Sequence, residues 1–186
     1  MIRLEYFDRT DFKQLIDWIN NEPLLISWAG SLFRFPLNED KLEWYIEDSN
    51  NIHESDALIY KAIDTENNKV VGHISLGSIS RSNRSARITR VLVGSTAERG
   101  RGVCTAMIKA ILKIGFEDLQ LHRISLGVYE FNTAAIRCYE KAGFVTEGVM
   151  RDTLKYDDSY WSLVEMSMLE DEWRNQKPQD YDESCC

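Results

Sequence analysis

Residues 86–104, ARITRVLVGSTAERGRGVC, join an apolar strand to the start of a helix through a basic, glycine-bearing loop. The run 86–93 ends in three apolar residues and is typical of a buried strand. Loop 94–101 follows it, and the apolar residues beyond recur at helical spacing on one face of a helix over 102–118. A further apolar strand over 122–129 completes a strand–helix–strand unit, which predicts two parallel strands with a right-handed crossover.

The start of this predicted helix has the features of an anion site. Its first backbone N–H groups have no partner within the helix, and the helix dipole places partial positive charge there. Arg99 and Arg101 add charge, and Gly100 lets the backbone approach an anion closely. A Walker loop is excluded because no Gly-Lys-Ser/Thr string occurs, and a dinucleotide fingerprint is excluded because Thr105 stands at its third glycine position. The pattern indicates a diphosphate site of another class, or an ordinary basic turn that caps a helix.

The remaining elements place this unit in a mixed sheet. Apolar and alternating runs predict further strands, and helical spacing predicts further helices, one of them after the N-cap residue Asn38. The order of helices, antiparallel meander and alternating strands and helices predicts an α/β (α+β) fold. We expect one domain over 1–173 and a polar, acidic, frayed tail over 174–186. The predicted strands are 2–7, 57–64, 69–79, 86–93, 122–129, 144–151 and 160–169, and the other predicted helices are 10–20, 102–118 and 132–142.

The composition excludes several classes of protein. The chain has 186 residues, of which 44% are hydrophobic, and a net charge of -8, which disfavours nucleic acid and anionic membranes as partners. No apolar run reaches the roughly 18 residues that a membrane span needs, and the N-terminus lacks a signal-peptide pattern, so we expect a cytoplasmic protein with reduced cysteines. The scattered histidines and cysteines predict no metal site. The cysteines are Cys104, Cys138, Cys185 and Cys186.

Two motifs, in order and at fitting spacing, identify a family resemblance. Arg99-x-x-Gly102-x-Cys104, after a buried strand, resembles the pyrophosphate loop of the GNAT acetyltransferases. The segment 132–144 is similar to that family's Asn-x-x-Ala-x-x-x-Tyr-x-x-x-Gly-Phe motif at every named position. The segment 161–173 is similar to the last strands of the ribosomal-protein N-terminal acetyltransferase branch. The resemblance implies a three-layer fold, with a six- to seven-stranded mixed sheet and helices on both faces.

The resemblance also implies a donor and the residues that bind it. The donor would be acetyl-coenzyme A, with its pantetheine arm along the backbone of the splayed strand and its pyrophosphate on the amides of the loop. Cys104 departs from the small glycine or alanine of the family pattern, and we expect it to pack as a small apolar side chain. Asn132 would bind the cofactor arm and is also a plausible N-cap. The implied cofactor-binding residues are Val91, Leu92, Val93, Arg99, Gly100, Arg101, Gly102, Val103, Cys104, Asn132 and Ala135.

Tyr139 is the implied catalytic residue. It lies seven residues after Asn132, about two helical turns, so both side chains project from nearly one face. A phenol with an ordinary pKa of about 10 is protonated at neutral pH and can give its proton to the departing thiolate. The alternative is a tyrosine that only packs in the core.

The general base and the acceptor site are left open. In many relatives a glutamate on the strand before the loop is the base, but residues 87–91 contain no carboxylate. His73, Glu165 or a water chain are the alternatives. The acceptor pocket would draw on aromatic surface, and the candidates for it are Trp28, Phe33, Phe35, Tyr156 and Trp161.

Three functions fit the sequence. The main hypothesis is an N-acetyltransferase acting on the N-terminal amine of a protein or peptide, and a homodimer is one expected assembly. The second is the same chemistry on a small amine, such as a polyamine or an amino-sugar antibiotic. The third is a non-catalytic acyl-coenzyme A-binding module.

Overall fold

The computed structural model describes residues 1–94 and 102–176. Arg99, Gly100 and Arg101 of the predicted loop lie outside the described residues, as does the end of the predicted tail. The strands are β1 (Ile2–Tyr6), β2 (Leu58–Asp64), β3 (Lys69–Ser80), β4 (Ser85–Val93), β5 (Arg123–Tyr129), β6 (Val145–Tyr156) and β7 (Ser159–Leu169). The helices are α1 (Phe12–Trp18), α2 (Glu22–Ala29), α3 (Glu39–Ile46), α4 (Val103–Lys113), α5 (Thr133–Lys141) and α6 (Glu170–Gln176).

One mixed sheet organises the described residues. Its seven strands run in the order β1-β2-β3-β4-β5-β7-β6. The pair β4–β5 is parallel, and the other neighbours are antiparallel. The parallel pair carries α4 as its crossover, so the predicted strand–helix–strand unit and the mixed sheet are both confirmed.

The two faces of the sheet bury different helices. Leu58 belongs to one apolar cluster and Ile59 to the other, which shows that neighbouring residues of β2 point to opposite faces of the sheet. The first cluster contains the apolar stripe of α4, which is fully buried, and the second contains the apolar residues of α1, α2 and α3. These helices on both faces confirm the predicted three layers.

Several element boundaries differ from the prediction. The predicted helix 10–20 is a short turn of 3-10 helix followed by α1, and the side chain of Asp8, rather than Thr10, caps the turn. The predicted N-cap Asn38 is confirmed, because its side chain accepts a hydrogen bond of 3.1 Å from the Lys41 amide. Strand β6 extends to Tyr156, well beyond the predicted 144–151, because β7 pairs with it as far as the turn after that residue.

Two helices were missed by the sequence prediction. The cap that begins α2 is Asn21, whose side chain accepts a hydrogen bond of 2.9 Å from the Leu24 amide. This cap and Pro23 in the first turn of α2 were the available signals.

The second missed helix is α6, which shows that the prediction of fraying from residue 174 is wrong as far as Gln176. Three acidic residues stabilise its first turn: Glu170, Asp171 and Glu172. Among the described residues, no helix is long and apolar enough to cross a membrane.

Candidate active site

A cavity opens where β4 and β5 part. The two strands pair only from Ser85↔Arg123 to Ile88↔Leu126, although β4 continues to Val93 and β5 to Tyr129. The cavity between them has a volume of about 620 Å³, within the range of small-molecule sites. The elements β4, β5, α2, α4 and α5 all contribute to its wall.

A β-bulge in β4 lies at this parting. Thr89 is opposite Ser75 and Leu92 is opposite His73, so two residues of β4 face one residue of β3. Arg90 in the bulge has a φ of 53°, in the left-handed region. The indole N–H of Trp28 on α2 donates a hydrogen bond of 2.9 Å to the Arg90 carbonyl. The bulge therefore re-aims β4 and attaches α2 to it beside the cavity.

The structure brings most of the predicted site residues together. Every predicted cofactor-binding and catalytic residue within the described ranges lines this one cavity: Val91, Leu92, Val93, Gly102, Val103, Cys104, Asn132, Ala135 and Tyr139. The end of the loop motif and the start of the Asn132 motif, which are distant in the sequence, thus meet in one place. This convergence is what a shared ligand requires.

The start of α4 lies at the wall of the cavity. Gly102 is its N-cap, with a φ of 79°, a conformation that favours glycine. A Cβ added to Gly102 would meet nothing within 4 Å, so the space beside this backbone is open. The first turn of α4 therefore begins beside open space at the cavity wall.

Asn132 caps α5 at the edge of the same cavity. Its side-chain oxygen accepts a hydrogen bond of 3.2 Å from the Ala135 amide, so the predicted N-cap is confirmed. This bond occupies the oxygen and leaves the side-chain NH₂ as a donor.

The cap makes a testable contribution to stability. We expect Asn132→Ala to lower the free energy of unfolding by about 1 kcal/mol, the usual effect of losing an N-cap. Asn132→Asp keeps an oxygen acceptor and should retain most of the stability. Urea unfolding of both variants measures the difference, and an equal loss in both would show that the cap contributes nothing.

Tyr139 lies on the inner wall of the cavity. Only 6% of its surface is exposed, and its ring packs against Phe144 with a centroid distance of 6.2 Å. Burial raises the pKa of its phenol, so the group stays protonated at neutral pH. Asn132 and Tyr139 both face the cavity, as their spacing predicted.

Neither side chain suggested as a base is placed to act as one. His73 is 1% exposed and does not line the cavity, and burial, with a smaller effect of Arg90, lowers its pKa to about 3. Both carboxylate oxygens of Glu165 accept hydrogen bonds from Arg87, at 2.7 and 2.8 Å. Among the described residues that line the cavity there is no carboxylate, and Arg90 is the single charged side chain.

An aromatic cluster stands at one side of the cavity, formed by Tyr129, Phe131, Tyr156 and Trp161. The ring of Trp161 lies 4.8–5.1 Å from each of the other three. Tyr129 also lines the cavity, so the cluster is continuous with the cavity wall. Tyr156 and Trp161 were predicted as acceptor surface, whereas Tyr129 and Phe131 were missed, although both adjoin the Asn132 motif.

The other predicted aromatic residues have separate roles. Trp28 lines the cavity. The buried ring of Phe33 stacks on the Trp28 ring, with 6.0 Å between the two ring centroids. Phe35 is 41% exposed and does not line the cavity.

Two cysteines meet beside the cofactor motifs. A disulfide joins Cys104 at the start of α4 to Cys138 on α5, and both residues line the cavity. The prediction of reduced cysteines is therefore wrong for this pair. The two residues are separated by 34 positions, and only the convergence of α4 and α5 brings them together.

Comparison with known proteins agrees with this geometry. The sequence model of the Acetyltransferase (GNAT) family matches residues 13–144. Over 175 residues the chain is 26% identical to a spermidine N(1)-acetyltransferase of Vibrio cholerae, covering 94% of this chain and 96% of the relative. Over 106 residues it is 31% identical to YdaF of Bacillus subtilis, provisionally named a ribosomal N-acetyltransferase, covering 57% of each. Over 158 residues it is 25% identical to an aminoglycoside N(6')-acetyltransferase of Klebsiella pneumoniae, covering 80% and 76%.

Solved structures show the same fold. The structure of spermidine N-acetyltransferase from Vibrio cholerae in complex with CoA and spermine has a TM-score of 0.79 to this chain. The two are 24% identical, and the match covers 94% of this chain and 98% of the other. The predicted ribosomal-protein branch is not singled out, because relatives named for polyamines and aminoglycosides match as well.

Proposed function

We propose that this chain, which belongs to the GNAT acetyltransferase family and transfers an acetyl group from acetyl-CoA to an amine, acts on a small aliphatic amine with a second cationic centre. The aromatic cluster beside the cavity carries this proposal. It offers aromatic surface that is exposed at Phe131, beside a cavity whose described wall contains no carboxylate.

The residues of the cavity fit acetyl-CoA. The edge of β4 from Val91 to Val93 has no strand partner on the β5 side, so its backbone can pair with the amide groups of the pantetheine arm. The amides at the start of α4 would hold the pyrophosphate, and the Asn132 NH₂ would donate a hydrogen bond to the arm. When bound, acetyl-CoA supplies a thioester that an amine nitrogen can attack.

Tyr139 is the proposed general acid. Its buried phenol keeps its proton at neutral pH and lies on the wall of the cavity that the cofactor motifs also line. A donor at this position stabilises the departing thiolate as the C–S bond breaks.

The aromatic cluster is suited to a cation. Ring faces attract alkylammonium groups, with about 0.5–2 kcal/mol for each well-placed contact. Phe131 is 52% exposed, so the cluster is accessible from solvent. Burial first, and then the charges of Asp157 and Glu22, raise the pKa of Tyr156. Asp157 and Asp158 directly follow Tyr156 in the chain and bring carboxylates next to this ring. Rings and carboxylates together favour an acceptor whose distal end is positive.

The relatives support a small amine, and a peptide N-terminus is the second candidate. Proteins named for spermidine and aminoglycosides match over most of this chain. The relative with the higher identity, YdaF, favours the peptide, which was the main hypothesis from the sequence.

The homodimer expected from the sequence stays a prediction. A related spermidine N-acetyltransferase of Vibrio cholerae forms a dodecamer, which supports self-association here.

A panel of amines separates these acceptors. Release of the CoA thiol is measured with spermidine, cadaverine, kanamycin and a pentapeptide with a free N-terminal alanine. We expect spermidine or cadaverine to give the highest kcat/KM. Faster turnover of the peptide would replace the small amine by the second candidate.

The aromatic cluster can be tested by a paired substitution. Trp161→Ala removes the ring that contacts the other three, and it should raise the KM for the preferred amine by about three- to thirtyfold, equivalent to the loss of one to two ring contacts. The KM for acetyl-CoA should not change. Tyr160→Ala is the matched control, because Tyr160 immediately precedes Trp161 on β7, is 56% exposed and is not part of the cluster. Equal effects of the two substitutions would remove the cluster from acceptor binding.

A further inference from the structure

We propose that Cys104 and Cys138 form a reversible redox site, at which exchange with a small thiol controls how tightly the protein binds acetyl-CoA. The disulfide is the tight-binding form, and the pair of free thiols is the weak-binding form. The inference goes beyond the proposed function, because it concerns the cofactor side of the cavity and does not depend on which amine is the acceptor.

The disulfide joins two walls of the cofactor cavity. Cys104 lies in the first turn of α4, two residues after the N-cap Gly102, and Cys138 lies on α5, next to Tyr139. Both cysteines line the cavity, and their Cα atoms are 6.6 Å apart. One covalent bond therefore holds the proposed pyrophosphate end of the site against the helix that carries Asn132 and Tyr139.

A small thiol can reach this bond from the cavity. Both cysteines are only partly buried, and the cavity that they line has a volume of about 620 Å³. The tripeptide glutathione is smaller than acetyl-CoA, for which the same cavity is proposed. Exposed disulfides are the ones that exchange readily with small thiols.

The bond is not needed to hold the two helices on the sheet. Cys104 and Cys138 both pack against the first apolar cluster, which also contains the buried stripe of α4. Tyr139 and Ala142 anchor α5 in the same cluster. Reduction should therefore leave the fold intact and remove only the link between the start of α4 and α5.

Thr105 favours release of the Cys138 sulfur. The Thr105 hydroxyl lies 3.6 Å from this sulfur. A disulfide sulfur carries no proton, so the hydroxyl is the donor of the hydrogen bond. This hydrogen bond strengthens when the sulfur becomes a thiolate, because charged acceptors bind donors more strongly. The incoming thiolate therefore attacks Cys104, and the Cys138 thiolate leaves.

The exchange balances in two steps. A small thiolate forms a bond to the Cys104 sulfur as the bond between the two cysteines breaks, and the Cys138 thiolate takes a proton from water. A second small thiolate then attacks the sulfur of the first one, which releases the Cys104 thiolate and a small-molecule disulfide. Two electrons pass to the protein, and the small-molecule disulfide is the oxidant in the reverse direction.

The bond favours the cofactor because it holds two of its binding elements together. Acetyl-CoA would contact the amides at the start of α4 and the side chain of Asn132 at the start of α5. Two unbonded sulfurs need more room than a bonded pair, so the two walls separate on reduction, and binding then has to order them. Thermodynamic linkage requires the cofactor to favour the disulfide by the same factor.

Titration of the intact protein with desulfo-CoA measures this coupling. Desulfo-CoA lacks the thiol of CoA and cannot itself take part in the exchange. Calorimetry gives its Kd for the oxidised protein and for protein reduced with a phosphine, and alkylation followed by mass spectrometry gives the state of each cysteine. We expect reduction to raise the Kd by at least about fivefold, the lower end of typical coupling between sites. An unchanged or lower Kd overturns the inference.

The reciprocal measurement needs no substitution. The wild type is equilibrated in buffers of glutathione (GSH) and its disulfide (GSSG), and the bridged fraction is measured with and without saturating desulfo-CoA. The value of [GSH]²/[GSSG] at the midpoint should rise by the factor that separates the two Kd values. A midpoint that stays in place, or that moves to less reducing buffers, contradicts the coupling.

Cysteine variants separate this pair from the other thiols of the chain. Cys185→Ser/Cys186→Ser is the matched control, because it removes the other two cysteines and keeps the pair. It should respond to reduction as the wild type does. Cys138→Ser should bind desulfo-CoA with the same Kd under oxidising and reducing conditions. A response that persists in Cys138→Ser, or that disappears in the control, assigns the effect to other cysteines and overturns the inference.

The rate of reduction tests the order of the exchange. Thr105→Val keeps the shape of the side chain and removes its hydroxyl. It should slow reduction of the bond by glutathione about three- to tenfold, equivalent to the loss of one hydrogen bond. An unchanged rate contradicts the assignment of Cys138 as the leaving sulfur.

Discussion

Replacing Tyr139 by phenylalanine is expected to lower kcat by about a hundred- to ten-thousand-fold, the usual range for loss of a general acid. The substitution removes one hydroxyl from a side chain that is 6% exposed, and it keeps the ring that packs against Phe144. The fold and the acetyl-CoA site should therefore be unaffected. Stopped assays of acetylated product give kcat, and calorimetric titration with CoA gives the affinity, which should stay within twofold of wild type.

Tyr129→Phe is the matched control for this substitution. Tyr129 also lines the cavity and also has a phenol whose pKa is raised by burial. It stands in the aromatic cluster, where its ring is the proposed contributor, so losing the hydroxyl should change kcat little. If Tyr139→Phe keeps a kcat within a few-fold of wild type, the phenol is not the proton donor. A large loss in Tyr129→Phe alone would transfer that role to Tyr129.

Replacing Ile111 by alanine is expected to lower the free energy of unfolding by about 2–5 kcal/mol, as buried large-to-small substitutions do. Ile111 is fully buried on α4, in the cluster between this helix and the sheet. A loss of this size is a large fraction of the roughly 5–15 kcal/mol that stabilises a typical domain. The cavity wall depends on the same helix, so binding of CoA should weaken as the fold loosens.

Lys109→Ala provides the comparison on the same helix. Lys109 is exposed, and alanine is a strong helix former, so the change should stay within about 0.5 kcal/mol. Chemical unfolding of both variants gives the two values. Equal values would contradict the burial of one face of α4 that the fold requires.

The sequence predicted the parts of the fold that depend on local periodicity. The stripe of α4 and the apolar run of β5 predicted the parallel unit, and the cap at Asn38 predicted the start of α3. Helix α2 was missed because its apolar residues do not form a single stripe, and the bulge was missed because nothing local distinguishes residues 89–92 from a regular strand. Both features matter, because together they form part of the cavity wall.

The candidate site was predictable only where one motif carries it. The segment from Asn132 to Tyr139 and the start of α4 were found from spacing and resemblance, and both line the cavity. The bulge at Arg90 and the hydrogen bond that Trp28 donates to its carbonyl are properties of tertiary structure. The same is true of the Cys104–Cys138 pair, whose two helices meet only in the folded chain.

Direct identification of the product tests the central claim. The chain is incubated with acetyl-CoA and each amine of the panel, and the amines are then analysed by mass spectrometry while free CoA thiol is counted. We predict that spermidine or cadaverine gains one acetyl group for each thiol released, and that the reaction requires the enzyme. If no amine is acetylated while CoA still binds the protein, the account of this cavity as an amine acetyltransferase site is wrong.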